Sequence, residues 1–462
     1  MTQDSLPALR DAVRATRPED LVPYPDQAMF LALRGADQEA VMQALWIYDH
    51  PVDLDGIHRF HRNLYNGLFG RQIETSPLPF GRHRWVSVRP SESNLRFEQK
   101  PRPRAELFDW ADEQVALPLD PEWGPAWRIC VQPFDDGTTV VSLVGTHCIA
   151  DGAGAVMSVV EAVNGMSRDL DYAAPRSRTR SRAILEDLRQ LVRDLPEIGR
   201  TIVRFAKVAW RRRHDLTRPA GGPRPAPGPK NVAHVPSAAV FIDVAEWDAR
   251  AESLAGNNFS LAAGFAGKLA QNLKRVRSAD GAVTLMIPVN DRGDFDDTGG
   301  NVVSIANVSF DPAKVNTDLT GPRNAIRDAL KKAREVPDEM VELLPLIPFV
   351  PKRGIAKMAD VAFGFTTDLP TSVSNLGDLP ADMMKVDGTP AQYLCFRGMD
   401  RQVSIDTLDR RGGILTVASG RVSGKVIISV MSYQPGQENT QTGLRRVIAD
   451  TLGEFGLSGE IA

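Results

Sequence analysis

Residues 146–152 read THCIADG: a histidine, an aspartate four places on, then a glycine. Imidazole is the side chain best suited to take a proton near neutral pH, provided one ring nitrogen is presented in a fixed tautomer. A carboxylate four residues later can orient the ring, or hold its loop by pairing with a distant cation. The same two residues are also two ligands of a metal site, or the ordinary junction between a strand and a helix. The metal reading needs further ligands. No HExxH follows, and the other histidines, at 50, 58, 61, 83, 214 and 234, are scattered. We therefore expect no metal at His147.

The elements around the motif suit a rigid catalytic loop. TTVVSLVGT (138–146) is β-branched and apolar and follows the turn signal Asp135-Asp136-Gly137, which predicts a buried strand. GAGAVMSVVEAV (152–163) predicts a packed helix with Asp151 as its N-cap. Two later stretches carry polar groups to strand ends. PVNDRGDFDDTGGN (288–301) offers Arg292, which can pair with Asp151, and Asn301. SVSNLGDLP (372–380) offers Ser374 and Asn375, which can donate to a developing oxyanion. Either stretch alone also reads as a polar turn.

The chain has 462 residues, 42% of them hydrophobic, and a formal charge of −3, which suits a soluble globular protein of two or three domains. A basic excess is absent, so nucleic acid is not an expected partner. The first residues, MTQDSLPALRDAV, lack the pattern of a signal peptide, and no run of 18 apolar residues predicts a spanning helix. The three cysteines, 130, 148 and 395, form no CxxC pair. A reducing cytoplasm is the expected location, and Cys148 is expected to be a small buried hydrophobe.

Composition shifts sharply at DLTRPAGGPRPAPGPKNVAHVP (215–236), which reads as a linker or crossover. It divides an N-terminal subdomain, 1–214, from a C-terminal one, 237–462. Before it, 183–213 has helical periodicity that Pro196 should kink or split. Between Arg176 and Arg213 stand eleven Arg and one Lys against two Asp and two Glu, an excess of eight positive charges. That excess can meet an anionic membrane surface, an acidic carrier protein or a phosphorylated cofactor, or simply face water. VELLPLIPFVP (341–351) is apolar and proline-rich, fit to pack as an extended core segment, line an acyl channel or touch a membrane. AAVFIDV (238–244), AVTLMIPVN (282–290) and KVIISVMSY (425–433) read as strands. Residues 245–255 and 323–335 read as helices, with a further helix from Ser260, as its cap, to about Leu273. Both halves mix α and β.

The order of these motifs resembles the bacterial wax ester synthase/diacylglycerol acyltransferase family, within the wider chloramphenicol acetyltransferase and condensation-domain superfamily. PLDPEWGPAWRICV (118–131), THCIADG, PVNDRG…GN, SNLG and VMSYQPG (430–436) carry the likeness, which runs from PDQAMFLAL (from 25) to near the C-terminus. Two departures stand out. Thr146 replaces the first histidine of the usual HHxxxDG, and NNFSLAAG (257–264) stands where an Asn-Asp pair is usual. The resemblance implies an α/β fold with mixed sheets, in two chloramphenicol acetyltransferase-like subdomains with a tunnel between them. It implies His147 as general base for attack on an acyl thioester, with Asp151, Gly152 and Arg292 as structural support. Ser374 and Asn375 would lie near the reacting carbonyl, and Thr146 and Asn301 are expected to border the substrate.

Three functions follow from this. The first is an acyl-CoA-dependent transferase with an alcohol or lipid acceptor, or an amine, and no tightly bound cofactor. In the second, the donor is the phosphopantetheine of an acyl carrier protein, docked on the basic segment. The third is an inactive binding module of the same fold. Peripheral contact with a membrane or lipid surface is compatible with each.

Overall fold

The structure is a computed structural model and describes residues 20–36, 39–168, 170–211, 231–293, 297–335, 341–350 and 369–462. In chain order the first half contains α1 (Tyr24–Ala36), β1 (Glu39–Tyr48), α2 (Leu54–Leu64), β2 (Arg71–Glu74), β3 (Arg84–Ser87) and β4 (Leu95–Phe97). It continues with α3 (Leu107–Ala116), β5 (Trp127–Pro133), β6 (Thr139–Thr146), α4 (Gly152–Val163) and α5 (Arg180–Arg211). The second half opens with β7 (Ser237–Asp243), α6 (Val244–Ser253), α7 (Asn258–Asn272), β8 (Val283–Asn290), β9 (Val303–Phe310) and α8 (Thr320–Glu335). After a 3-10 segment at Val341–Phe349 come β10 (Thr371–Asp378), β11 (Tyr393–Arg401), α9 (Ile405–Arg410), β12 (Ile414–Val422), β13 (Lys425–Tyr433), α10 (Gln441–Glu454) and β14 (Glu460–Ile461).

These strands build a five-stranded sheet, β11-β1-β6-β5-β4, a seven-stranded sheet, β14-β7-β13-β12-β10-β8-β9, and the ribbon β2-β3. Both large sheets are mixed. β4 runs parallel to β5, and β10 runs parallel to β8 and β12, while the other pairs are antiparallel. The fold is thus α/β with mixed sheets, as expected. A core around Trp46, Trp110, Trp127 and Phe60 fills the first half, and another around Trp247, Phe265, Val430 and Phe455 fills the second.

The expected boundary at 215–236 does not divide the sheets cleanly. β11 comes from the second half yet pairs along β1 from Glu39↔Arg401 to Ile47↔Tyr393. Buried polar groups hold it there. Arg397 reaches Asp112 at 2.6 Å and Gln43 at 2.9 Å, and Arg401 Nε donates to Glu39 at 2.7 Å. Most of the linker, 215–230, lies outside the described residues. Of the remainder, Val232 bridges to Ser404.

Three local expectations change. Pro196 neither ends nor splits α5, which runs unbroken from Arg180 to Arg211. Proline removes one donor and frees one carbonyl, and on the exposed turn between Val192 and Pro196 that loss is cheap. The cap of α7 is Asn257, not Ser260. Asn257 accepts from the Ser260 N–H, and the Ser260 hydroxyl accepts from the Asn257 N–H, a reciprocal capping box. The 341–349 stretch is 3-10 rather than extended. It buries Leu343, Pro345 and Ile347 while Val341 and Phe349 stay exposed.

Candidate active site

β6 is buried along its whole length, because Val140, Val141, Leu143 and Val144 have apolar neighbours on both faces. The enclosure continues past its end. From Thr139 to Asp151 every residue is buried except His147, which keeps partial solvent access. The loop is anchored through its main chain. The His147 N–H donates to the Ala40 carbonyl of β1 at 2.8 Å, and the His147 carbonyl accepts from Asn301 Nδ2 at 2.9 Å. Ring nitrogen Nδ1 is buried and has no hydrogen-bond partner among the described residues. The backbone is therefore fixed on both sides while a ring nitrogen is left unengaged.

Asp151 caps α4, as expected. Its Oδ1 accepts from the Gly154 N–H at 2.7 Å. Its Oδ2 accepts from Arg292 Nη2 at 3.0 Å and from the Val302 N–H at 2.9 Å, and its own N–H donates to the Gly300 carbonyl at 2.7 Å. The Asp151 and Arg292 side chains are each 3% exposed, so this is a buried, multiply hydrogen-bonded pair. Arg292 also donates to the carbonyls of Asp297, Gly299 and Gly300. One carboxylate thus ties the histidine loop to the polar loop of the second half. The small residues permit it. A Cβ on Gly154 would sit 3.1 Å from Arg292 Nη2, and one on Gly152 would sit 3.1 Å from Leu376 Cδ2.

Two residues that sequence reasoning missed complete this junction. Asp26, on α1, is fully buried and accepts from the N–H groups of Gly300 (2.8 Å) and Asn301 (2.6 Å) and from Asn301 Nδ2 (2.7 Å). Burial raises its carboxyl above the usual range, against the pull of Arg71 and these donors. Gly300 must be glycine here, since a Cβ would approach both Asp26 oxygens to 2.8 Å. Arg71, also fully buried, donates to the carbonyls of Ile149 (2.7 Å) and Thr298 and lies over the Trp85 ring. Asp26 lies in PDQAMFLAL, a stretch that carries the resemblance but to which no role was given, and Arg71 has no signal beyond being a charged residue near an apolar one. A third neighbour is Asp400 on β11, opposite Ala40 in the ladder. Burial pushes its carboxyl up, opposed by attraction to Arg411 and to His147.

Thr146 and Asn301, expected to border the substrate, are engaged inside the protein. Thr146 is completely buried, with its hydroxyl toward the Cys148 N–H at 3.4 Å and toward Glu39. Asn301 is 6% exposed, and its amide is spent on Asp26 and His147, so it positions the loop. Ser374 and Asn375 are half-buried in the middle of β10, just before the pairing with β12 shifts register. Asn375 Oδ1 accepts from the Gly377 N–H at 2.8 Å, and the intervening Leu376 packs on Gly152. The SNLG strand end therefore abuts the start of α4. Cys148 is buried, with its thiol pushed up to about 12, which suits a packing role. Among the described residues no group of three or more His, Cys, Asp or Glu could hold a metal ion.

No family model matches this chain, and no curated protein matches it. Solved structures do. The first condensation domain of the CDA synthetase superimposes with a TM-score of 0.54 at 12% identity, covering 96% of this chain and 100% of that one. The wax ester synthase/diacylglycerol acyltransferase from Marinobacter aquaeolei VT8 gives 0.55 at 16% identity, covering 95% and 100%. The first condensation domain of the calcium-dependent antibiotic synthetase, solved with a substrate analogue, gives 0.55 at 14%, covering 94% and 96%. Over nearly its whole length the chain therefore shares the fold of condensation domains and of this acyltransferase.

Proposed function

We propose that the chain is an acyltransferase in which His147 is the general base. The carrying observation is that His147 alone keeps solvent access within an otherwise buried stretch of thirteen residues, 139–151, on a backbone anchored from both halves. The shared fold with condensation domains and an acyltransferase supports the reading.

In the proposed reaction the acceptor hydroxyl or amine gives its proton to a ring nitrogen of His147 as it attacks the thioester carbonyl. The tetrahedral oxyanion forms and then collapses, and the carbon–sulfur bond breaks. The leaving thiolate takes the proton back from the imidazolium, which restores the base. Ser374 Oγ and Asn375 Nδ2 are the candidate oxyanion donors; Asn375 has already committed its Oδ1 to the turn, which fixes how the amide points. Asp151 and Arg292 act through the loop and not on the substrate. Acyl-CoA is the first donor to test. A donor on the phosphopantetheine of a carrier protein is the second, suggested by the fold shared with a condensation domain.

The test is thiol release from acyl-CoAs of graded chain length with mixed alcohol and amine acceptors. Acceptor-dependent release in the native protein, lowered by about 10²-fold or more in His147→Ala with an unchanged melting temperature, is the expected result. A well-folded native protein that releases thiol from no acyl-CoA, yet does so from an acylated carrier protein, selects the second donor. Silence with both donors overturns the transferase reading.

A further inference from the structure

The polarity of α5 is inverted. A helix lying on a globular protein ordinarily turns its apolar stripe inward. Here the inward side carries Asp187, Asp194 and Thr201 beside Ala183 and Ile198. Asp187 accepts from Ser76 Oγ at 2.5 Å and Arg178 at 3.0 Å and pairs with Arg84, while Asp194 faces Arg82 at 3.9 Å. The outward side carries Leu185, Leu188, Val192, Leu195, Ile202 and Val203, which are 47–59% exposed. At about 100° per residue these six fall within about 60° of Leu188, forming one continuous stripe. Arg182, Arg189, Arg193, Arg200 and Arg204, all exposed, fall along one flank of the stripe, where Arg182 pairs with Glu186 and Arg204 with Glu342, and no carboxylate lies within the stripe itself. At 32 residues the helix is roughly 48 Å long.

We infer that α5 is an interfacial helix that lays this stripe into an anionic lipid surface, with its arginine flank against the headgroup phosphates. Charge complementarity selects that occupant. An apolar stripe edged by arginine and free of carboxylates matches a layer of phosphates over hydrocarbon. A second copy of the chain would bring further arginines to the contact and no stripe carboxylate to answer them. No described helix is long and apolar enough to cross a membrane, so the helix lies in the surface and does not traverse it. Phe349, exposed on the adjoining 3-10 segment and stacked on Phe80 at 5.9 Å, adds apolar surface beside it.

The experiment is flotation of the full chain with phosphatidylcholine vesicles, with and without phosphatidylglycerol. The native protein should float with the anionic vesicles, less so as salt rises. The triple variant Leu188→Glu, Leu195→Glu, Ile202→Glu should lose more than about tenfold in partitioning at an unchanged melting temperature. Arg189→Glu, Arg193→Glu, Arg200→Glu should lose the preference for anionic lipid. A native protein that floats with neither vesicle overturns the inference. So does a triple variant that floats as well as the native chain, or one whose only defect is loss of a self-associated dimer or of binding to an acidic carrier protein. Flotation is read without catalysis, so it stands or falls apart from the acyl-transfer reading.

Discussion

A buried carboxylate with three donors around it is expensive to disturb, and the chain carries two of them at one place, Asp151 and Asp26. Truncating Arg292 would leave Asp151 buried with two backbone N–H donors and without its arginine partner. Arg292→Ala should therefore cost about 3–5 kcal/mol in urea unfolding, and Asp151→Asn, which sets an amide against the Val302 N–H, should also destabilise. If either variant keeps native stability, the pair is not what joins the halves. His83 makes a prediction of a different kind. It is buried beside Phe30, and burial pushes it down to about 4 from 6.5, with Asp187 pulling upward and Arg82 downward. Because the unfolded chain takes up that proton first, the contribution of His83 to stability is full above pH 6.5 and is lost as pH falls through about 4. His83→Leu should be somewhat less stable at pH 7, because the ring accepts from the Ser76 N–H. Its acid limb should be flatter by up to about 3 kcal/mol, measured as unfolding free energy between pH 7 and 4.

At the scale of elements, the strand, loop and helix that carry His147 were legible because each has a local cause. A β-branched run makes β6, and an aspartate with small residues behind it starts α4. The pairing of Asp151 with Arg292 was legible because both flank strongly apolar segments. What failed to show were contacts whose partners are remote and chemically ordinary. Asp26 meets Asn301 across 275 positions, and nothing near either residue advertises the other. The internal partners of Thr146 and Asn301 were hidden for the same reason. Their polarity suggested substrate, whereas their hydrogen bonds turn out to be spent inside the junction. Helix α5 shows the converse, since its periodicity is plain in the sequence but which face turns inward is decided by Arg84 and Arg178, on other elements. Even the proline was readable only as a defect, because whether its orphaned carbonyl matters depends on which side of the helix faces water.

At the scale of the molecule, the two halves share β11. Arg397 is fully buried where it meets Asp112, Gln43 and Ser237, so Arg397→Ala should cost about 3–5 kcal/mol and lower the melting temperature of the whole chain in one transition. Two separate transitions in the calorimeter, with only one shifted, would show that β11 does not couple the halves. The borrowed strand also sets a schedule for synthesis. Glu39 and Arg401 are 362 positions apart, and at 5–20 residues per second the ribosome needs on the order of 20–70 s to pass from one to the other. Throughout that interval β1 has no partner along one side, and an unpaired strand edge is a template for other chains. The nascent protein is therefore most at risk of aggregation after its first half has been made, and a chaperone that covers the edge of β1 during those seconds should raise its soluble yield more than one that acts after release.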